Sequence, residues 1–355
     1  MALKINSDRK RRKIDRGGFL MAKITVLGSG GFGLALAVML DKFGNDVTVW
    51  SAFRQELDDI IRDGENKAKL PGVKVSSSIK LTDDISCITG SEMVIFGIPT
   101  GAVRKVARLA SPYVTADMAV VNTGKGLEDG TFKRMSEVIN EEIPQSETVV
   151  LSGPSHAEEV AIGMPTTVVA ASADSEKASY VQSVMSNETF RVYLNDDVVG
   201  CELGGALKNV IALCAGIIDG LGCGDNTKAA LMTRGISEIA SLGTALGAKT
   251  ETFAGLTGIG DLIVTCTSMH SRNRRAGILI GQGVSPEEAV KQVGTVEGYT
   301  CTKVAYELSR KAGVNMPITE QCYSVLFSGD SVKEAIKRLM GRPKKHETER
   351  TALVK

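Results

Sequence analysis

The sequence predicts an α/β fold in which a doubly wound, mostly parallel sheet is followed by an all-α domain. Short apolar runs typical of strands alternate with helical patterns over the first half of the chain. That alternation places helices on both faces of a parallel sheet. After Asp196-Asp197 strand signals become sparse, and helical patterns continue to about Met340. We therefore expect a sheet domain over residues 22–196 and a helical domain over residues 197–341.

Composition indicates an ordinary globular protein and excludes several functional classes. The 355 residues are 43% hydrophobic and 23% charged, which allows two sizeable cores. A formal net charge of +1 gives no bulk attraction to nucleic acid or to an anionic membrane. No apolar run approaches the roughly 20 residues that a membrane-spanning helix needs. We therefore expect no nucleic-acid partner and no membrane span.

Cysteine and histidine usage favours a cytoplasmic protein without a metal site. The seven cysteines form no C-x-x-C pair, which favours reduced, mostly buried thiols over disulfides or a zinc site. The three histidines are too few to suggest a His-based metal site or a Ser-His-Asp triad. Acid–base chemistry is therefore expected to use another residue type.

The two ends of the chain carry little information about function. Residues 1–21 include a basic run at 9–13 but no apolar segment of the kind that targeting requires, so we expect a disordered basic extension. Contact of this run with nucleic acid is the minor alternative. Residues 342–355 form a charged tail that we also expect to be disordered.

Residues 23–50 predict a strand, a helix and a second strand around the motif G-x-G-x-x-G. Gly28 permits a tight turn, Gly30 lets the backbone approach a phosphate, and Gly33 lets the helix pack close to the strand. The free N–H groups at the helix N-terminus attract an anion. Because strand, glycine loop, helix and second strand occur in this order, the stretch predicts a dinucleotide-binding, Rossmann-type unit.

The other elements follow from apolar runs and helical periodicity. In the sheet domain we predict strands at 93–97, 118–122, 148–151, 166–171 and 190–194, and helices at 54–63, 102–110 and 175–185. In the helical domain we predict helices at 198–219, 229–246, 274–281, 286–293, 301–312, 319–326 and 332–339.

Four polar features are candidates for chemistry. Lys125 follows a predicted strand, where a sheet of this kind binds its ligands, although a surface lysine is the ordinary explanation. Lys208 lies in an apolar, small-residue helix, where it either extends to solvent or acts as a general acid and base with a lowered pKa. Asp261 lies in a Gly-rich turn and is either a helix N-cap or a carboxylate that orients the substrate or the lysine. The cluster at 271–275 is either a solvated turn or a phosphate site.

Taken together, these motifs resemble those of the soluble, nicotinamide-dependent glycerol-3-phosphate dehydrogenases in their bacterial form. The resemblance extends in order from about Lys23 to Met340. Several motifs in series are far more specific than the glycine fingerprint alone. The matching segments are GSGGFG (28–33), NTGKGLE (122–128), SGPS (152–155), GCELGGALKNV (200–210), GIGDL (258–262), SRNRR (271–275) and VEG (296–298).

The resemblance implies a function and a role for each matching residue. The function is the interconversion of dihydroxyacetone phosphate and sn-glycerol 3-phosphate by hydride transfer with NAD(P)H, which supplies glycerol 3-phosphate for phospholipid synthesis; a homodimer is expected. Lys208 is implied as the proton donor and acceptor, and Lys125 as a contact of both substrate and cofactor. Further implied substrate contacts are Gly153, Ser155, Asp261, Ser271, Arg272 and Asn273. Further implied cofactor contacts are Gly31, Phe32, Ala157, Arg272 and Glu297, with Gly31-Phe32 standing where the family usually has Ser-Trp.

The end of the second strand bears on cofactor choice. NAD-preferring sites usually place an acidic residue there for the ribose hydroxyls. In this chain Trp50 is followed by Ser51-Ala52-Phe53-Arg54, with no acidic residue before Glu56. The sequence therefore favours NADP, with Arg54 as the partner of its additional phosphate. Relatives often have basic residues where this chain has Ala52 and Phe53, so the pattern is only partly matched.

Two alternative functions remain open at the level of sequence. One is a 3-hydroxyacid dehydrogenase of similar two-domain build, although its carboxylate substrate needs no phosphate site like Ser271-Arg272-Asn273. The other is a non-catalytic dinucleotide-sensing protein. The presence of Lys208, Asp261 and Lys125 argues against a sensor, since a sensor needs no buried proton donor.

Overall fold

A computed structural model describes residues 21–344 and 346–347 of the chain. The predicted basic extension lies outside the described residues except for Met21, and most of the predicted charged tail lies outside them as well.

The described residues contain one eight-stranded sheet, which confirms the predicted α/β class. The strand order is β3-β2-β1-β4-β5-β6-β7-β8. Neighbouring strands are parallel except for β6 and β7. The strands are β1 Lys23–Leu27, β2 Asp46–Trp50, β3 Lys80–Thr82, β4 Met93–Phe96, β5 Ala119–Asn122, β6 Thr148–Ser152, β7 Thr166–Ala171 and β8 Phe190–Asn195.

Two details of the sheet were absent from the sequence prediction. Strand β3 is three residues long and has no fully buried side chain, so it produces no apolar run. Strands β6 and β7 pair antiparallel, and their connection contains only the five-residue helix α5, Ala157–Ala161, in place of a full crossover helix. A parallel pair needs a crossover of a dozen or more residues, usually with a full helix.

Five more helices accompany the sheet. They are α1 Gly31–Lys42, α2 Arg54–Asp63, α3 Val103–Ala110, α4 Met135–Glu142 and α6 Ser175–Met185. Helices α2 and α6 have the predicted bounds, whereas α4 and α5 were not predicted. Helix α5 has five residues, too few turns for a clear periodic pattern.

From Val198 onward the described chain is helical. The helices are α7 Val198–Gly220, α8 Asp225–Ala245, α9 Asp261–Thr267, α10 Arg272–Gly281, α11 Pro286–Val293, α12 Glu297–Lys311, α13 Pro317–Phe327 and α14 Val332–Met340. All seven predicted helices are present, with bounds shifted by up to four residues. Helix α9, preceded by a single π-helical turn at Leu256–Gly260, is the additional one.

Helix α7 forms the centre of the helical half. Every residue from 200 to 218 is buried. Contrary to the expectation that no apolar run approaches spanning length, α7 is, within the described residues, the one helix long and apolar enough to cross a membrane; its most apolar window is entirely buried inside the protein. Its apolar character is thus explained by its place in the core.

Helices α7 and α10 pack with their backbones in contact. A Cβ atom on Gly216 or Gly220 of α7 would lie 2.0–2.2 Å from a carbonyl oxygen of α10. A Cβ atom on Gly277 or Gly281 of α10 would lie 2.1–2.2 Å from a carbonyl oxygen of α7. No side chain fits at these four positions without a backbone shift, so the glycines fix the distance between the helices. This contact holds the start of α10 close to the middle of α7.

The cysteines have the predicted character. All seven are free; five are buried, and Cys87 and Cys223 are partly exposed.

Candidate active site

The glycine loop lies where the strand order reverses, between β1 and β4. A Cβ atom on Gly28, whose φ is +120°, would lie 2.6 Å from the Gly97 carbonyl oxygen at the end of β4. A Cβ atom on Gly33 would lie 2.4 Å from the Gly28 carbonyl oxygen. Around Gly30 the nearest such atom is 3.9 Å away, and no side chain caps helix α1. The loop therefore leaves room and free N–H groups for a dinucleotide pyrophosphate, as a resident nicotinamide cofactor requires.

The next loop residues face the start of α5. A Cβ atom on Gly31 would lie 2.7 Å from the Lys69 carbonyl oxygen and 3.7 Å from the Ala157 Cβ atom. Phe32 is partly buried and packs against the core of the sheet half. The structure thus brings Gly31, Phe32 and Ala157 to one edge of the loop, whereas a serine at position 31 would require the backbone at Lys69 to move.

The segment that follows β2 contains both a basic and an acidic group. Arg54 is exposed and forms ion pairs with Asp58 at 3.0 Å and with Asp83 at 3.4 Å. Glu56 points back toward the glycine loop and accepts a hydrogen bond from Ser29 Oγ at 2.5 Å. Its other oxygen lies 2.6 Å from Lys69 Nζ. Glu56 is the first acidic residue after β2 in the sequence, and the first turn of α2 returns its carboxylate to the loop.

A buried ion-pair network connects the sheet edge to the helical half. Lys208 Nζ donates to Asp261 Oδ1 at 2.6 Å and to Thr265 Oγ1 at 2.6 Å. Lys125 Nζ donates to Asp261 Oδ2 at 2.8 Å and to the Gly153 carbonyl oxygen at 2.7 Å. Asp261 therefore bridges the two lysines with its two oxygens. Its side chain does not act as an N-cap, because it lies at the first position of α9.

Burial and charge tune this network. Burial lowers the pKa of Lys208 to about 8, assisted by the positive charge of Lys125 and opposed by Asp261. Burial tends to raise the pKa of Asp261, but the two lysines outweigh it and hold that pKa below its ordinary value. Near neutral pH the network therefore holds an ionised carboxylate and a lysine that loses its proton more readily than an exposed lysine does.

Two glycines of α7 allow this helix to pack closely against the sheet edge and the turn before α9. A Cβ atom on Gly205 would lie 2.9 Å from Ser152 Oγ at the end of β6 and 3.5 Å from Lys125 Cγ. A Cβ atom on Gly204 would lie 2.6 Å from the Thr257 carbonyl oxygen in the π-helical turn. Helix α7 therefore lies directly against both the sheet edge and the turn that precedes Asp261.

A second buried carboxylate fixes α7 to the sheet half. Glu202 accepts hydrogen bonds from Ser136 N at 2.8 Å, from Ser136 Oγ at 2.5 Å and from an Arg134 nitrogen at 2.7 Å. Arg134 and Ser136 lie at the start of α4. Glu202 is two turns before Lys208 on α7, so this contact sets the position of Lys208 relative to the sheet.

The start of α10 lies beside α7 and α12. Asn273 donates to Asn209 Oδ1 at 2.8 Å and accepts from Gly298 N at 2.8 Å. Asn209 in turn donates to the Lys125 carbonyl oxygen at 3.0 Å. Ser271 is the N-cap of α10, and its Oγ accepts from Arg274 N at 3.2 Å. The structure thus connects Asn273 through Asn209 to Lys125 and uses Ser271 for capping.

The remaining predicted residues border the same region. Ser155 Oγ donates to the Gly153 carbonyl oxygen, which also accepts from Lys125. The Arg272 side chain is exposed, and its guanidinium interacts with the carboxylates of Glu297 and Glu158. Glu297 accepts from Thr100 Oγ1 at 2.8 Å, just beyond β4.

Thr265 is the one member of the lysine network that sequence reasoning missed. It lies four residues after Asp261 on α9, on the same helix face, and also donates to the Asp261 carbonyl oxygen at 2.6 Å. The spacing of Asp261 and Thr265 would have revealed it if α9 had been predicted.

The fold and this site define a dinucleotide-dependent dehydrogenase. A glycine loop at the sheet edge lies beside a helical half that contributes a buried lysine with a lowered pKa. Comparison with known proteins specifies the family. The NAD-dependent glycerol-3-phosphate dehydrogenase N-terminus model matches residues 23–178, and the C-terminus model of the same family matches residues 197–337.

Relatives and solved structures agree with these matches. A glycerol-3-phosphate dehydrogenase [NAD(P)+] of Moorella thermoacetica is 55% identical over 92% of this chain and 98% of its own length. That of Desulfitobacterium hafniense is 52% identical over 94% and 95%. The crystal structure of a Coxiella burnetii glycerol-3-phosphate dehydrogenase superposes with a TM-score of 0.87 at 36% identity, over 91% of this chain and 99% of that one. The chain belongs to the NAD-dependent glycerol-3-phosphate dehydrogenase family, which confirms the resemblance and disfavours the two alternatives.

Proposed function

We propose that the chain interconverts dihydroxyacetone phosphate and sn-glycerol 3-phosphate with NAD(P)H. The observation that carries the proposal is the bridge of Asp261 between Lys208 and Lys125, at the same carboxyl edge of the sheet as the glycine loop. A ketone reduction needs one proton at the carbonyl oxygen and positive charge around the alkoxide that forms. Family membership supports the choice of substrate.

In this proposal Lys208 of the helical half and Lys125 of the sheet half act on the carbonyl group. Lys208 gives its proton to the developing alkoxide, and in the reverse reaction the neutral amine takes the hydroxyl proton. Lys125 adds a second positive charge on the other side of Asp261. Asp261 and Thr265 hold the Lys208 amine in place, which supports a role in positioning it. The pKa of Lys208, about 8, is close to the neutral pH at which such a group is an efficient general acid and base.

The phosphate end of the substrate would be bound at the start of α10. Arg272 offers an exposed guanidinium fork, the form of donor that binds phosphate in a bidentate way. Asn273 and the free N–H groups of the first turn add neutral donors. Ser271, Gly153 and Ser155 would complete the pocket, with the Ser271 hydroxyl keeping its capping bond.

Residues 22–196 would hold the cofactor, together with Arg272 and Glu297 of the helical half. A bound nicotinamide supplies the hydride that reduces the carbonyl carbon. The proposed contacts are Gly28, Gly30, Gly31, Phe32, Gly33, Arg54, Lys125, Ala157, Arg272 and Glu297.

Cofactor preference depends on the exit of β2. We propose NADP, with Arg54 released from Asp58 and Asp83 to bind the additional phosphate. Loss of one charge-assisted phosphate contact is expected to reduce kcat/KM for NADPH about tenfold or more in Arg54→Ala, with little change for NADH. Steady-state kinetics with both cofactors provide the test. A larger kcat/KM for NADH than for NADPH in the unmodified protein would refute the preference.

The family assignment also suggests a cellular context. We propose a cytoplasmic enzyme that supplies glycerol 3-phosphate for phospholipid synthesis, working as a homodimer. Helix α7 is buried within one chain and needs no partner to cover it, so a dimer would use another surface.

The deciding experiment measures oxidation of NADH and NADPH with dihydroxyacetone phosphate. Lys208→Ala is expected to lose at least a hundredfold in kcat, because the site then lacks its proton donor. Lys291→Ala, an exposed lysine on α11, is the matched control and should retain full activity. Absence of activity in the unmodified protein would refute the function. Unchanged turnover in Lys208→Ala would refute the role of Lys208 alone.

A further inference from the structure

His156 lies between the lysine network and the start of α10. It is the residue before α5, its ring lies 5.7 Å from the ring of His270, and the Val264 carbonyl group of α9 is beside it. His270 immediately precedes the N-cap of α10. The ring therefore borders the two places where the proposed function puts the ketone and the phosphate.

The Nε2 atom of His156 is buried and makes no hydrogen bond with any other described residue. Buried polar atoms in native proteins normally have a partner, so Nε2 is available to hydrogen-bond a group bound in the adjacent site. The charged groups near the ring are Lys208 and Lys125, the Asp261 carboxylate that bridges these two lysines, and Glu158. The Glu158 carboxylate lies 3.7 Å from His270 Nδ1.

The same neighbours keep the ring neutral while the pocket holds no anion. Burial lowers the pKa of His156, and the charges of Lys208 and Lys125 lower it further, whereas the Val264 carbonyl and the Glu158 carboxylate oppose this shift without cancelling it. A phosphate dianion placed beside the ring would reverse this balance, because an adjacent negative charge favours the imidazolium form.

We propose that His156 Nε2 is a specificity-determining contact for the substrate phosphate, and that the ring takes up a proton when the phosphorylated substrate binds. The inference rests on the proposed function and adds a residue to its phosphate site. Of the groups on a triose phosphate, the phosphate is the one with a negative charge that favours the imidazolium form and with hydrogen-bond acceptors that pair with a protonated ring. The proton comes from solvent and returns to it when the product leaves.

The test compares His156→Leu, His156→Gln and the unmodified protein, with His270→Leu as the matched control. KM and kcat for dihydroxyacetone phosphate are measured from pH 6 to 8.5, together with the inhibition constant of inorganic phosphate. Loss of a charge-assisted hydrogen bond is expected to raise both KM and the phosphate inhibition constant about tenfold to a hundredfold in His156→Leu, with less than a threefold change in kcat. His270→Leu should change neither constant more than about threefold, because its ring is exposed.

The pH dependence of KM distinguishes a phosphate-binding role of His156 from a purely structural role of its side chain. In the unmodified protein KM should rise with pH from the pKa of the free ring up to the higher pKa of the liganded ring, by up to about tenfold per pH unit, and level off above it. His156→Gln keeps a polar side chain of similar reach, so it should fold even if His156→Leu does not, and it should lack this rise.

Three outcomes would overturn the inference in an otherwise active protein. They are unchanged KM in both His156 variants, a raised KM with an unchanged phosphate inhibition constant, and the same pH dependence of KM in His156→Gln as in the unmodified protein. Failure of the proposed function would be visible separately, as absence of activity before any substitution.

Discussion

Replacement of Asp261 by Asn tests the whole electrostatic design of the site. Asp261 is buried and accepts from both Lys208 and Lys125. Asparagine keeps the shape and one acceptor oxygen but removes the negative charge. The two ammonium groups then face each other without an anion between them, so the protonated form of Lys208 becomes less favourable.

The size of the effect follows from simple electrostatics. Two unit charges about 4 Å apart interact by about 4 kcal/mol at an effective dielectric constant of about 20. At about 1.4 kcal/mol per pK unit, this corresponds to a fall of about three units in the pKa of Lys208. From its present value of about 8, the pKa would move to about 5. At pH 7 the protonated fraction of Lys208 would then fall from about nine tenths to about one hundredth.

The assay is the pH profile of ketone reduction. Reduction requires protonated Lys208, so its kcat in the unmodified protein should fall as pH rises through about 8. In Asp261→Asn the fall should occur about three pH units lower, with an activity about a hundredfold lower at pH 7 that recovers toward pH 5. Oxidation of glycerol 3-phosphate requires the neutral amine, so its profile should shift in the same direction and rise at lower pH.

A suitable control is Asp219→Asn. Asp219 also bridges two cations, Lys228 and Arg274, but it contacts neither lysine of the network. Its substitution should leave the pH midpoint of kcat in place. If Asp261→Asn retained the midpoint of the unmodified protein, the argument that Asp261 sets the protonation of Lys208 would be wrong.

Two further predictions concern buried carboxylates outside the catalytic network. Glu202→Ala leaves Arg134 and Ser136 without their buried acceptor and should lower the free energy of unfolding by about 3–5 kcal/mol. Glu202→Gln keeps an acceptor and should lose less than half as much in denaturant titrations; equal losses would contradict the hydrogen-bonding argument. Burial raises the pKa of Glu238 to about 7, although two backbone N–H groups at the start of α13 oppose the shift. Its raised pKa contributes stability below pH 4.5 that is lost as pH rises through about 7. Glu238→Gln should therefore show a smaller decrease in Tm between pH 5 and about 7.5, and an unchanged slope would refute this assignment.

Much of the fold could be predicted from local pattern. Strands and helices are recognised from side-chain patterns that repeat every two to four residues, and the glycine loop lies between two such strands. The sheet half has the strands and helices that these local patterns predict, apart from its shortest elements. Prediction failed where an element was too short to show a period, as for α9 and β3. The position of Thr265 was lost for the same reason, because without α9 there was no helix face to share with Asp261.

The candidate site was predicted as a set of residue types rather than as an arrangement. The sequence alone identified a lysine in an apolar helix, an aspartate in a Gly-rich turn and a basic cluster as candidate functional groups. A charged group in apolar surroundings costs free energy unless it is paired or used. The tertiary structure decided which groups meet: Asp261 between two lysines 83 residues apart in the chain, and His156 beside both, with an unpaired nitrogen. Pairing of this kind depends on how helix α7 crosses the sheet edge, and that crossing is set by close backbone contacts at glycines far apart in sequence. A local sequence pattern cannot predict such contacts, because each one depends on two segments that are distant in sequence and meet only in the folded protein.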